Sequence, residues 1–276
     1  MVEGLEGKVA FITGAARGQG RSHAVRLAEN GADIIAVDIC AQIDSVPYKL
    51  ASREDLDETQ RLVQKAGGRC VVAVADVRDI HALDAAAQRG ATELGGIDIV
   101  LANAGIFHAG RREASLDDVA RNWSDAVDVL LTGVFNTIHV VHQRMIDQGR
   151  GGSIVITSSI AGLIGALDGS GGVGGYSAAK HGVVGLMRGY AKLLGPHNIR
   201  VNSVHPTGVA TEMVTNPAFV KFYEENPEAM MPVTRALPLS MLEPGDVTDA
   251  VLWLVSDAAK YVTGVTLPVD AGVTLA

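Results

Sequence analysis

The 276-residue sequence has only two cysteines, Cys40 and Cys70, without metal-ligand spacing. That is too few for a disulfide framework, and both are expected as small core residues. Aromatic residues make up only 4% of the chain, so the core must be built from Ala, Val, Ile and Leu. Basic stripes are missing and the net charge is −8, which argues against nucleic acid and anionic membranes as partners. No apolar run reaches the roughly 20 residues of a membrane-spanning helix. The opening "MVEGLEGKVAFITG" lacks the charged-then-apolar order of an export signal. A cytoplasmic location is therefore expected. Histidines form no convincing ligand set: His139 and His142 lie three apart on a predicted helix with no third ligand nearby, so no metal is expected. Internal repeats and linkers are also missing, which predicts one domain over residues 1–276.

What is present is alternation. Short β-branched runs recur at 8–13, 32–38, 70–76, 97–103, 152–158, 199–205 and 264–270. Most are apolar on both faces, as parallel strands between two helical layers must be. Helix-period stretches separate them, at about 18–30, 53–66, 79–94, 115–148, 175–195 and 244–256. The pattern predicts an α/β fold: a doubly wound parallel sheet of about seven strands with helices on both faces. Ligands of such sheets bind beyond the carboxyl ends of the strands, so the residues there are the ones to inspect.

After the first strand comes "TGAARGQG", in which Gly14, Gly18 and Gly20 let the backbone approach a pyrophosphate at a helix start. The second strand ends at Asp38, whose carboxylate can accept from both adenosine ribose hydroxyls and would repel a 2′-phosphate. The alternative is an ordinary strand-end aspartate. Asp76 ends the third strand, placed to reach an adenine edge. Small residues in "ANAG" (Asn103, Ala104 and Gly105 among them) let a cofactor lie against the backbone. Further on, "YSAAK" sets Tyr176 and Lys180 one helical turn apart. The pair is either a half-buried tyrosine beside a solvated lysine or a phenol whose pKa is lowered by an ammonium.

"TGAARGQG", "NAG", "ITSSIAG", "YSAAK" and "HPTGVAT" occur in the order of the short-chain dehydrogenase/reductase family, and the chain resembles that family throughout. The resemblance implies a Rossmann-type fold, a nicotinamide cofactor (NAD, given Asp38) and hydride exchange between an alcohol and a carbonyl. It implies catalytic roles for Ser159, Tyr176 and Lys180, with Ser158 satisfying backbone. Cofactor contacts would extend to Arg17, Val77, Val209 and Thr211, and Lys180 would reach the nicotinamide ribose. Relatives commonly form homotetramers through the long helices and the C-terminal strand region. The segment 208–240 is expected as a lid over the substrate. Its Met213, Phe219, Phe222 and Met230 suggest a hydrophobic alcohol or ketone, although a small helical pair packing on the core would look the same.

The long segment 39–69 resembles that of actinobacterial, carveol-dehydrogenase-like members called mycofactocin-coupled. That implies a tightly held NAD reoxidised by an external redox carrier; the plainer alternative is a solvent-facing extension. Two features depart from the family. The run "LDGSGGVGG" before Tyr176 reads either as a surface-loop insertion or as a flexible pocket wall. Leu130 occupies a position where the family carries an asparagine that holds a relay water, and Asn136, six residues on, lies on another helix face. A rival reading follows, a nucleotide-binding sensor or scaffold with little turnover.

Overall fold

The computed structural model describes residues 2–108, 113–225 and 234–275. Its strands are β1 (Val9–Thr13), β2 (Asp33–Asp38), β3 (Cys70–Val74), β4 (Ile99–Ala102), β5 (Gly152–Thr157), β6 (Ile199–Pro206) and β7 (Thr266–Val269). All pair in parallel, in the order β3-β2-β1-β4-β5-β6-β7. The described helices are α1 (Gly18–Ala28), α2 (Arg53–Lys65), α3 (Ile80–Leu94), α4 (Leu116–Val127), α5 (Gly133–Gln148), α6 (Gly171–Leu194), α7 (Glu212–Thr215), α8 (Pro217–Glu225) and α9 (Pro244–Val255). Among the described residues no helix is long and apolar enough to cross a membrane.

Side-chain alternation along each strand builds two cores. Phe11, Ile35 and Val100 face one layer, where they meet Leu83, Ile138, Val183 and Met187 from α3, α5 and α6. Their neighbours Ile12, Ile34 and Leu101 face the other, against Leu27, Leu56 and Val251 from α1, α2 and α9. This is why the strands read as continuously apolar. The crossover direction reverses between β1 and β4, and the reversal opens a crevice at the carboxyl edge of the sheet.

Three expectations need correction. The stretch 115–148 is not one helix: a π turn, Asp128–Thr132, joins α4 to α5 and carries Leu130. The run "LDGSGGVGG" divides: residues 167–170 form no helix or strand, but the glycines from Gly171 on are helical. Ser170 caps α6 by accepting from the Val173 N–H, and Gly171 to Gly175 are its first turns. They are glycine because other chain lies against them: a Cβ on Gly171 would overlap the Val119 carbonyl, and one on Gly172 would overlap His108. Cys70 is buried as expected, but Cys40 is only half-buried, with a left-handed φ of 49°.

Candidate active site

The glycine turn after β1 leaves room for hydrogen alone. Gly14 has a φ of +68°, and a Cβ there would lie 2.7 Å from the Ala104 Cα; one on Gly20 would overlap the Gly14 carbonyl. Asn103 locks the strand ends together. Its amide donates to the Thr13 carbonyl at 3.1 Å, and its Oδ1 accepts from the Thr157 hydroxyl at 3.2 Å. The asparagine expected at the cofactor thus spends its side chain on holding the cradle.

Gly14, Arg17, Gly18, Gly20, Asp38, Asp76, Val77, Asn103, Ala104, Gly105, Thr211 and Met213 all line one cleft with about 920 Å³ of free space, mouth included. The Gln19 Oε1 is buried at the same turn with no hydrogen-bond partner among the described residues. A narrow glycine cradle, an unsatisfied polar atom and a strand-end carboxylate fit a dinucleotide. Asp38 accepts from the Ala16 N–H at 3.0 Å and the Cys40 N–H at 3.3 Å. Burial nonetheless pushes its carboxyl upward, and those N–H groups oppose the rise. Asp76 is gripped by Arg78, whose Nη2 donates at 2.7 Å. Val209 is buried in the second core beside Leu242 rather than along the cleft, with its carbonyl accepting from Thr211 at 3.4 Å.

Ser159, Tyr176 and Lys180 meet where β5 ends against α6. The Ser159 hydroxyl caps the short turn after β5 by accepting from the Ala161 N–H at 3.2 Å, and its side chain acts electrostatically on the Tyr176 phenol. The Lys180 Nζ lies 5.5 Å from the centre of the Tyr176 ring and donates to the Thr157 carbonyl at 2.6 Å. The Ser158 hydroxyl donates to the Lys180 carbonyl at 2.9 Å, a backbone role as expected. Burial drives the Tyr176 phenol upward, and the Ser159 side chain opposes the rise. The same burial drives Lys180 down to about 7.

A family model described as enoyl-(acyl carrier protein) reductase matches residues 14–274. An uncharacterized oxidoreductase, MT2820, of Mycobacterium tuberculosis is 56% identical over 97% of this chain and 96% of its own. The (−)-trans-carveol dehydrogenase of Rhodococcus erythropolis is 46% identical over 98% and 99%. The chain belongs to the short-chain dehydrogenase/reductase family. A crystal structure of carveol dehydrogenase from Mycobacterium avium in complex with NAD superposes with a TM-score of 0.91 at 46% identity, over 100% of both chains. This short-chain dehydrogenase/reductase is accordingly an oxidoreductase.

Other residues of the site gave no sign in the sequence. His205 accepts at Nε2 from Ser203 and donates from Nδ1 to the Ser159 carbonyl, each at 2.8 Å, so it fixes the backbone under Ser159. Burial, partly opposed by that bond, lowers His205 to about 4 and keeps it neutral. Ile43, Tyr48, Leu50 and Ala51 bring the segment after β2 into the cleft wall. Arg17 ties this segment to the start of the 208–240 region: its Nη2 donates to the Lys49 carbonyl at 2.5 Å, and its Nε lies 4.0 Å from Glu212. Phe107 packs on Tyr176 with ring centres 4.7 Å apart, and Phe219 lies 6.4 Å beyond. Phe222 sits on α8, but its side chain lies outside the described residues, as does Met230.

Leu130 is fully buried in a small apolar cluster with Ala126 and Ala179, and Tyr176 packs against it. Asn136 points away, donating to the Val77 carbonyl at 2.9 Å.

Proposed function

We propose that this enzyme oxidises a hydrophobic secondary alcohol, ring-shaped and terpenoid-like as carveol is, to its ketone with NAD. The observation that carries the reading is the convergence of Ser159, Tyr176 and Lys180, with the Lys180 Nζ 5.5 Å from the Tyr176 ring centre, next to a cleft fit for a dinucleotide. NAD, when bound, would accept the hydride from the carbinol carbon. Ser159 would donate to the substrate oxygen and hold it against the phenol. Tyr176, as phenolate, would take the hydroxyl proton and return it in the reverse direction. Lys180 would bind the nicotinamide ribose and hand the proton onward. Asp38 would accept from the adenosine ribose and turn away a 2′-phosphate. Gly14, Gly18, Gly20, Ala104 and Gly105 would admit the pyrophosphate and nicotinamide against the backbone.

The roof built from Tyr48, Leu50 and Arg17 supports a tightly held NAD, with reoxidation by an external redox carrier. The region 208–240 would close over the substrate, with Met213 and Phe219 lining it. We take the working form to be a homotetramer, on family resemblance and on the exposure of Phe135, Trp253 and Leu275; mass by light scattering checks it.

The deciding experiment denatures purified protein, identifies the released nucleotide, and assays carveol oxidation with an artificial electron acceptor. NAD and acceptor-dependent turnover are expected. NADPH binding tighter than NADH, or no oxidation of any secondary alcohol, overturns the reading and favours a sensor or scaffold.

A further inference from the structure

The segment between β2 and α2 does more than wall the cleft. It is braced from within by Gln42, whose amide donates to the carbonyls of Ile43, Val46 and Tyr48 at 3.1–3.2 Å and accepts from the Leu50 N–H at 3.0 Å. Fourteen residues form no helix or strand there, yet Ile43, Ser45, Val46 and Tyr48 are buried. From this braced segment two side chains reach the same place, the loop after β4. The Tyr48 hydroxyl accepts from the Phe107 N–H at 3.2 Å. The Ser45 hydroxyl donates to Asp125 Oδ2 at 2.6 Å and, its proton so committed, accepts from His108 Nε2 at 3.0 Å. Asp125 is itself fixed by Arg78 at 3.3 Å. Consecutive residues, Phe107 and His108, are therefore held from outside their own loop.

Phe107 is the residue with a stake in the chemistry. One side of its ring packs on Tyr176, and Phe219 continues the same apolar surface toward Tyr223 at 4.7 Å. Phe107 remains partly exposed, so a ligand at Tyr176 can touch it. A bulky apolar alcohol would lie along this wall, whereas a small one would end short of it. The wall's position depends on the backbone of Phe107, and that backbone depends on Tyr48 and Ser45.

We infer that Ser45 and Tyr48 are positioning residues for substrate selection: by fixing the Phe107–His108 loop they place the Phe107 ring beside Tyr176 and favour a bulky ring alcohol over a small one. The inference rests on the alcohol-oxidation reading and adds to it that the segment beside the cofactor also shapes the substrate pocket. It makes no use of how tightly NAD is held.

The test compares wild type, Ser45→Ala and Tyr48→Phe. Three quantities are measured: the ratio of kcat/KM for carveol to that for propan-2-ol, the NAD released on denaturation, and hydrogen exchange of the peptide covering 103–108. Tyr48→Phe keeps the ring in the cleft wall and removes only the acceptor. A fall of about tenfold in the ratio is expected in both variants, carried by KM for carveol, with faster exchange and unchanged NAD content. An unchanged ratio overturns the inference. So does loss of NAD with both alcohols slowed in parallel, which would make the segment a cofactor element alone. Failure of the underlying reading would show in the wild type, as no NAD or no oxidation of either alcohol. The exchange measurement would then still decide whether Ser45 and Tyr48 hold the loop, and unchanged exchange would overturn that.

Discussion

Tyr176 must lose a proton to act as a base, yet the site raises its pKa by burial and lowers that of Lys180 to about 7. Positive charge brought by NAD⁺ is what would turn this balance toward phenolate. Tyr176→Phe removes the transferring oxygen and leaves the ring on Phe107. Turnover is expected to fall by about 10²–10⁴-fold or more while the denatured variant still releases NAD; a wild-type rate would remove Tyr176 from the mechanism. Leu130 raises a separate question, because an apolar cluster stands where the family resemblance implies a water-holding amide. The proton leaving Tyr176 must then pass by Lys180 and the ribose to solvent, and oxidation should be sensitive to solvent deuterium. Leu130→Asn should raise the rate or shrink that isotope effect, provided the amide finds a partner. A folded variant with neither change would show that proton exit does not limit turnover. Tyr176, Lys180 and Asp38 stood out by residue type and position and Ser159 by family resemblance, and the fold brings Ser159, Tyr176 and Lys180 together while Asp38 lines the cleft. Ser45, Tyr48 and His205 did not stand out, because each bonds a group far away in sequence that only the fold brings near: Ser45 the His108 and Asp125 side chains, Tyr48 the Phe107 N–H and His205 the Ser159 carbonyl.

Elements were legible to the degree that their pattern is local. The strands are buried on both faces, so their apolar runs announced them. Boundaries failed where a distant contact sets them. The glycines before Tyr176 look like loop, but they are helix because Val119 and His108 press against them. The π turn at Asp128–Thr132 likewise leaves no periodic mark. Gly172→Ala follows from this packing. Alanine is ordinarily the better helix former, yet here its methyl meets His108, so overpacking should destabilise the protein by about 1–3 kcal/mol and shift the α6 end that bears Tyr176. The denaturation midpoint and kcat should both drop. A gain in stability would mean that the run is merely flexible.

For the molecule as a whole, acidity tests the burial of two histidines. His23 is fully buried, accepts or donates only at Nδ1 to Thr248 at 2.8 Å, and is lowered by burial to about 3. His205 is lowered to about 4. Both are neutral in the folded state, while the unfolded chain binds their protons below the ordinary 6.5. Their contribution to stability is therefore complete above pH 6.5 and is lost as pH falls toward 4 and then 3. The loss is about 1.4 kcal/mol per pH unit for each histidine. Denaturant titrations from pH 7 to 4 should show this slope, and His23→Asn should remove part of it. Equal slopes in the two proteins would mean that His23 is not held neutral.

The first turns of α6 have a thermal consequence. Gly171, Gly172, Gly174 and Gly175 each forgo about 0.5–1 kcal/mol of helix stability relative to alanine. Besides the Ser170 cap and the packing of Val119 and His108, one carboxylate holds them: Glu113 accepts from the Gly171 N–H at 2.9 Å and the Gly172 N–H at 3.1 Å. Such an end should open on its own, at a free energy well below that of the sheet. Because Tyr176 lies one residue past the last of these glycines, opening there would disperse the Ser159–Tyr176 pair while the strands stay paired. On slow heating, catalytic activity should vanish reversibly several degrees before the far-ultraviolet circular dichroism changes. Coincident curves would mean that α6 melts only with the whole protein.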